Sequence, residues 1–210
     1  HSVQQLELLF ETPHLEGLRP GATLTYAHLR EAAEGTRIGP DFQRQIRLET
    51  GTEETPGVGI TMDAEGTPRE LERFRGVPGN PMLMVFLENT VRAVNRATGG
   101  SPFYLRNRVI EALRERLEAQ PMILTLGTAR LPARSLTVMP FEGDENADRL
   151  GAFEDLQLRF ILAEEAPGML LAMIAEAGPR VDPQTGETTG AGTPGGETVY
   201  YEEIRLDLPR

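Results

Sequence analysis

The chain has no cysteine and no tryptophan, and only four of its 210 residues are tyrosine. Without cysteine there can be no disulfide, thiol nucleophile, iron–sulfur cluster or thiolate zinc site. The scarcity of large aromatic rings weakens a carbohydrate-binding reading. Lysine is missing as well, since all 21 basic residues are arginine. That removes Schiff-base catalysis and a phosphate-loop lysine. No apolar run approaches the roughly 18–20 residues of a membrane span, so the sequence predicts a chain that does not cross a bilayer. A basic surface is also lacking. The net charge is −11, which argues against nucleic acid, because phosphate binding works by displacing counterions from a positive patch.

What is present is the composition of a globular protein, 39% hydrophobic and 25% charged. The length suffices for one core burying roughly 70% of the unfolded surface, so residues 1–210 read as a single domain. The chain starts at His1 without an initiator methionine. That reads as a trimmed tag or a removed signal peptide, and it points to an exported, periplasmic or secreted protein.

Alternation of apolar and polar residues marks strands. Asp41–Thr50 and Val58–Ala64 carry it, Thr23–Arg30 is strand-like but less regular, and Glu65-Gly66 reads as a hairpin turn into Thr67–Arg75. Farther on, Pro121–Gly127 and Ser135–Met139 read as strands separated by a loop containing Pro132. Leu156–Ala163, Met169–Ala177 and Thr198–Leu208 complete the set. Between the last two, residues 178–197 are rich in Gly, Thr and Pro and read as a flexible surface loop.

Residues 80–119 break this pattern. Asn80 before Pro81 and Ser101 before Pro102 are helix-start signals, and Gly99-Gly100 is a stop. The first helix has an apolar stripe of Leu83, Phe86, Leu87, Val91 and Val94, the second one of Leu105, Val109, Leu113 and Leu117. The segment predicts a two-helix hairpin. It holds six arginines against four glutamates, a net +2, whereas the remainder holds 15 arginines against 28 carboxylates, a net −13. Pairs such as Glu88 with Arg92 are spaced for ion pairing along one helix.

No catalytic constellation accompanies these elements. Gly190, Gly192 and Gly195 match a dinucleotide-binding spacing, but Pro194 interrupts it and a strand follows where a helix is required. Asp144, Asn146, Asp148 and Asp155 echo a calcium loop, with Arg149 where that loop needs glycine. His1, His14 and His28 are too scattered for a zinc site, and His28 reads as a structural histidine on the Leu24–Tyr26 face. Met169 and Met173 read as core. No nucleophile elbow surrounds Ser2, Ser101 or Ser135. No cofactor and no metal site is expected.

The stretch Gly79–Glu88, with Thr98-Gly99-Gly100, Tyr104–Arg108, Leu24-Thr25-Tyr26, and Phe160 through Pro167-Gly168, resembles a family of uncharacterised secreted proteins of Gram-negative bacteria over most of the chain. That resemblance implies secretion and no activity. In architecture the order of strands, helices and strands is similar to the LolA/LolB-like periplasmic lipoprotein carriers. The implied fold is a curved antiparallel sheet whose concave face is covered by helices, with acyl chains held between the two.

The expected fold is therefore α+β. About eight to ten antiparallel strands curve like a half-barrel around the mid-chain hairpin, because the apolar stripes of the hairpin need the sheet to cover them. The expected function is a non-enzymatic binder or carrier of an apolar ligand such as lipid. Phe86, Leu87, Phe103, Tyr104, Phe160 and Met173 would line the site, with Arg106 and Arg108 at its mouth. Two alternatives are an envelope scaffold with a protein partner and no ligand, which would show an exposed apolar patch, and a hydrolase using paired carboxylates.

Overall fold

The computed structural model describes residues 2–178, 180–181, 188–189 and 199–208. It opens with a helix, α1 (Ser2–Phe10), then runs β1 (Thr23–Ala32), β2 (Phe42–Glu49), β3 (Val58–Ala64) and β4 (Thr67–Phe74). Two helices follow, α2 (Met82–Thr98) and α3 (Pro102–Arg116), then β5 (Glu118–Leu126) and β6 (Ala129–Val138). A short α4 (Ala147–Leu150) and a 3-10 turn lead into β7 (Gln157–Leu162) and β8 (Leu170–Ala177). The pair β9 (Arg180–Val181) and β10 (Thr188–Thr189) precedes β11 (Tyr200–Leu206). Most of the loop expected over 178–197 lies outside the described residues.

Nine strands form one open, curved antiparallel sheet in the order β4-β3-β2-β1-β11-β8-β7-β6-β5. The hairpin turns are local and legible. Glu65 and Gly66 both have positive φ (52° and 81°), the primed turn that suits the right-handed strand twist. Joining β1 to β11 brings the two ends of the sequence to the middle of the sheet. Bulges at Ile60/Thr61 and Ile161/Leu162 add local twist and so help the sheet to curve.

One strand pair departs from the sequence reading. Pro132 is not in a loop; it lies within β6, opposite Ile123 of β5, and the turn falls at Gly127 and Thr128. The reason is positional. β6 pairs with β7 only from Arg134 onward, so Pro132 occupies the overhang, where a missing N–H leaves no ladder bond unmade.

A row of inward side chains crosses six strands: Leu136, Phe160, Met173, Ile204, His28 and Arg44 stand in successive register. It is apolar over β6–β11 and turns polar on β1 and β2. Helix α2 lies over the apolar part, with the Phe86 ring edge-on to Phe160 at 5.8 Å. Met82, Leu83, Phe86, Thr90 and Val94 on its sheet-facing side are buried. Gly99 ends α2 in the left-handed conformation (φ 73°), and Ser101 caps α3 by accepting from the Tyr104 amide. α3 touches α2 and also packs against α1.

A buried node holds the start of α2. Asn80 Oδ1 accepts from the Met82 amide at 3.0 Å, and its Nδ2 donates to the Tyr26 hydroxyl (3.0 Å) and the Gly168 carbonyl (3.2 Å). Its own N–H donates to His14 Nδ1, whose other nitrogen bonds the Leu8 carbonyl. The tight fit needs glycine at 168: φ is +72°, and a Cβ there would meet a Leu24 methyl at 2.7 Å.

Candidate functional site

The flank of α2 beside its sheet-facing stripe does not rest on the sheet. It forms one wall of a cleft of about 670 Å³ whose other walls are α3, α1 and β4. Val91, Val109 and Leu113 make a buried floor. Leu6, Phe10, Phe74, Val85 and Leu87 are half-buried walls. At the rim, Leu71, Met84 and Ile110 keep 44%, 44% and 39% of their surface in water. Isolated exposed apolar residues are ordinary, but three around one concavity with an apolar floor form a continuous unfilled surface. The volume falls in the roughly 300–1,000 Å³ range of small-molecule sites.

Arg92, Arg106 and Arg114 reach the cleft, as do Glu11, Glu72 and Glu88. Arg106 clamps Glu88 across the two helices, Nη2 donating to Oε1 and Nε to Oε2. The Glu88 hydrogen bond and charge hold the guanidinium pKa above its ordinary value. Both side chains are well exposed, so water screens the pair and it adds little to stability. Glu88 thus pairs with Arg106 and not with Arg92 one turn along. The Arg106 guanidinium meets both Glu88 oxygens with its planar two-donor fork.

The residues expected to line a ligand site are dispersed. Leu87 and Arg106 are at the cleft. Phe86, Phe160 and Met173 have no exposed surface and pack in the core between α2 and the sheet. Phe103 projects into solvent, 71% exposed, from the first turn of α3. Tyr104 and Arg108 belong to a different structure. The Tyr104 hydroxyl donates to both carboxylate oxygens of buried Asp144 at 2.9 Å and accepts from Asn146 Nδ2. Arg108 Nε donates to Asp144 Oδ2 at 2.9 Å, and its Nη1 reaches Glu111. Burial acts to raise the Asp144 pKa. The Asn146 amide, Tyr104 and Arg108 outweigh it and hold the carboxyl below its ordinary value.

This network ties the 140–155 segment to α3 and uses the carboxylate that the calcium-loop spacing had singled out. Among the described residues, no three carboxylate or imidazole groups converge as metal ligands would. Asp144→Ala is expected to cost about 2 kcal/mol of stability by leaving Tyr104 and Arg108 without their acceptor. Urea unfolding of the variant checks this; an unchanged midpoint would mean that the network is idle.

A second polar group lies inside the sheet. His28 Nδ1 accepts from Arg44 Nε at 3.1 Å, which fixes the proton on Nε2. Nε2 faces Glu202 Oε2 at 3.6 Å, too long for a hydrogen bond. Arg30 and Arg44 both stack on Phe42 nearby. His28 and Glu202 form an acid–base pair in appearance only. Each is about 1% exposed, and the ring nitrogen that would act as base is occupied by Arg44.

No helix among the described residues is long and apolar enough to cross a membrane. No protein-family model matches the chain, and no curated protein matches it. Among solved structures, the Mycobacterium tuberculosis lipoprotein LppX aligns over 98% of this chain and 91% of its own, at 9% identity and a TM-score of 0.35. A likeness that loose carries no functional argument.

Proposed function

We propose that the protein is a non-enzymatic binder or carrier of an apolar ligand such as a lipid. In this reading the chain acts as one exported domain, with α2 and α3 as a hairpin riding on the sheet. The observation that supports it is the cleft between α1, α2, α3 and β4, where an apolar floor and an exposed apolar rim are left without a protein partner. The acyl site implied by the carrier architecture would lie between the helices and the sheet. The helix–sheet interface around Phe86, Phe160 and Met173 is solid core, so the ligand would lie beside the hairpin, against Leu87 and Met84. Burying that rim against a ligand would release apolar surface from water at about 25 cal/mol per Å².

Ile110→Glu tests this directly. Its side chain is on the rim, so the substitution should change stability by no more than about 0.5 kcal/mol, while placing a charge in the cleft. Protein purified under native conditions is extracted with solvent, and the extract is identified by mass spectrometry. A near-stoichiometric apolar compound from the native chain, absent from Ile110→Glu, is the expected result. An empty native protein that also ignores the neutral apolar dye N-phenyl-1-naphthylamine would overturn the reading and turn attention to a protein partner on the same surface.

A further inference from the structure

We infer that the occupant of the cleft is a single-chain amphiphile with an anionic head, and that the head is held at Arg92, beside Arg106. This inference rests on the apolar-ligand reading and adds the chemical class.

The size of the cleft sets the first half. A volume of about 670 Å³ is that of a site for one small ligand, so one chain is accommodated rather than a multi-chain lipid.

The charge at the rim sets the second half. Glu88 is the acid one turn before Arg92, and its carboxylate is committed to Arg106 by a two-pronged bond from the other helix. Arg92 is exposed, lines the cleft, and makes no ion pair or hydrogen bond among the described residues. Its other neighbours along the face of α2 are Asn89, Asn95 and Arg96, none of them acidic. Glu11 and Glu72 line the cleft from α1 and β4, so the positive charge is confined to the α2 wall, at Arg92 with Arg96 one turn on.

Arg114, also at the cleft, differs in its surroundings. Glu111 lies three before it on the same face of α3, Glu115 is adjacent, and Glu118 opens β5 just beyond the helix. An anionic head would be repelled at that end and attracted at Arg92. A carboxylate and a phosphate monoester share the geometry that a guanidinium fork recognises, so the shared chemistry is the anionic head.

The experiment is displacement of N-phenyl-1-naphthylamine by four ligands with the same tail: palmitate, hexadecyl phosphate, hexadecanol and hexadecyltrimethylammonium. At least one of the two anions is expected to compete at about tenfold lower concentration than hexadecanol, the worth of one charge-assisted contact. Hexadecyltrimethylammonium is expected to be the weakest. Arg92→Gln should bring the anions to the level of hexadecanol without changing hexadecanol itself, and Arg92→Lys should retain part of the preference. The stronger of palmitate and hexadecyl phosphate identifies the head. Four ligands competing equally, or an Arg92→Gln that leaves the preference intact, overturns the inference while leaving the apolar-ligand reading standing. If none competes and the dye does not bind, the underlying reading fails with it.

Discussion

Asn80→Ala is expected to lower the unfolding free energy by about 3 kcal/mol, a large share of the total for a domain of ordinary stability. Asn80 is 2% exposed, and each of its side-chain polar atoms is bonded. Alanine removes the cap on α2, worth about 1 kcal/mol. It also leaves the buried Tyr26 hydroxyl without a partner, at a cost of about 1–3 kcal/mol, and takes one of two donors from the Gly168 carbonyl, which keeps the Leu170 amide. The setting magnifies the loss, since burial pushes the Tyr26 hydroxyl pKa up to about 12 even with Asn80 donating to it. The damage spreads because the node joins elements far apart in sequence: the end of α1 through His14, the start of α2, β1 through Tyr26, and the β7–β8 turn through Gly168. A double-mutant cycle with Tyr26→Phe measures the coupling. Strict additivity of the two substitutions would show that the node is a set of unrelated bonds.

That node also shows what the sequence could reveal. The Asn80-Pro81 start, the Gly99 stop and the Ser101 cap are local signals, and they fall within a residue or two of the two ends of α2 and the start of α3, whereas the segment read as helical to 119 gives way to β5 at Glu118. Strands with one buried face were equally legible, as in β2, where Ile46 and Leu48 are buried while Gln45 and Glu49 are exposed and Arg47 is half-buried. Helix α1 was not. Its Leu6-Glu7-Leu8-Leu9-Phe10 is a short apolar run without a cap, and such a run does not distinguish helix from strand. Its helicity comes from packing on α3.

The cleft was illegible for a related reason. Its walls are assembled from α1, α2, α3 and β4, and nothing in any one segment says which flank will be left uncovered. The apolar stripe of α2 named Phe86 and Leu87 together, yet one became core and the other cleft wall. The arginines followed the same logic. Arg106, Arg108 and Arg92 look alike in sequence; the fold gives Arg106 to Glu88 and Arg108 to Asp144, and leaves Arg92 over.

The other large effect is of pH. Stability is expected to hold above pH 6.5 and to fall steadily as the solution is made more acidic, by up to about 1.4 kcal/mol per pH unit for each of two histidines. His14 and His28 are 3% and 1% exposed. Burial pulls both pKa values below the ordinary 6.5. The Leu8 carbonyl partly opposes this for His14; for His28, Glu202 opposes it while Arg44 and Arg30 reinforce it. The unfolded chain therefore takes up protons first as the pH drops through 6.5, and the native state loses ground until its own histidines titrate. The geometry gives the same sign. A proton on His28 Nδ1 would face the Arg44 Nε–H that now donates to it, and one on His14 Nδ1 would face the Asn80 amide. Asp144, whose pKa lies below the ordinary 3.8, enters only at lower pH, so the interval just below 6.5 isolates the histidines. Urea unfolding at a series of pH values through that interval measures the slope. The double variant His14→Gln, His28→Gln keeps a donor and an acceptor at each position but cannot titrate. Its profile should be markedly flatter, and a slope equal to the native one would show that the acid lability comes from elsewhere in the chain.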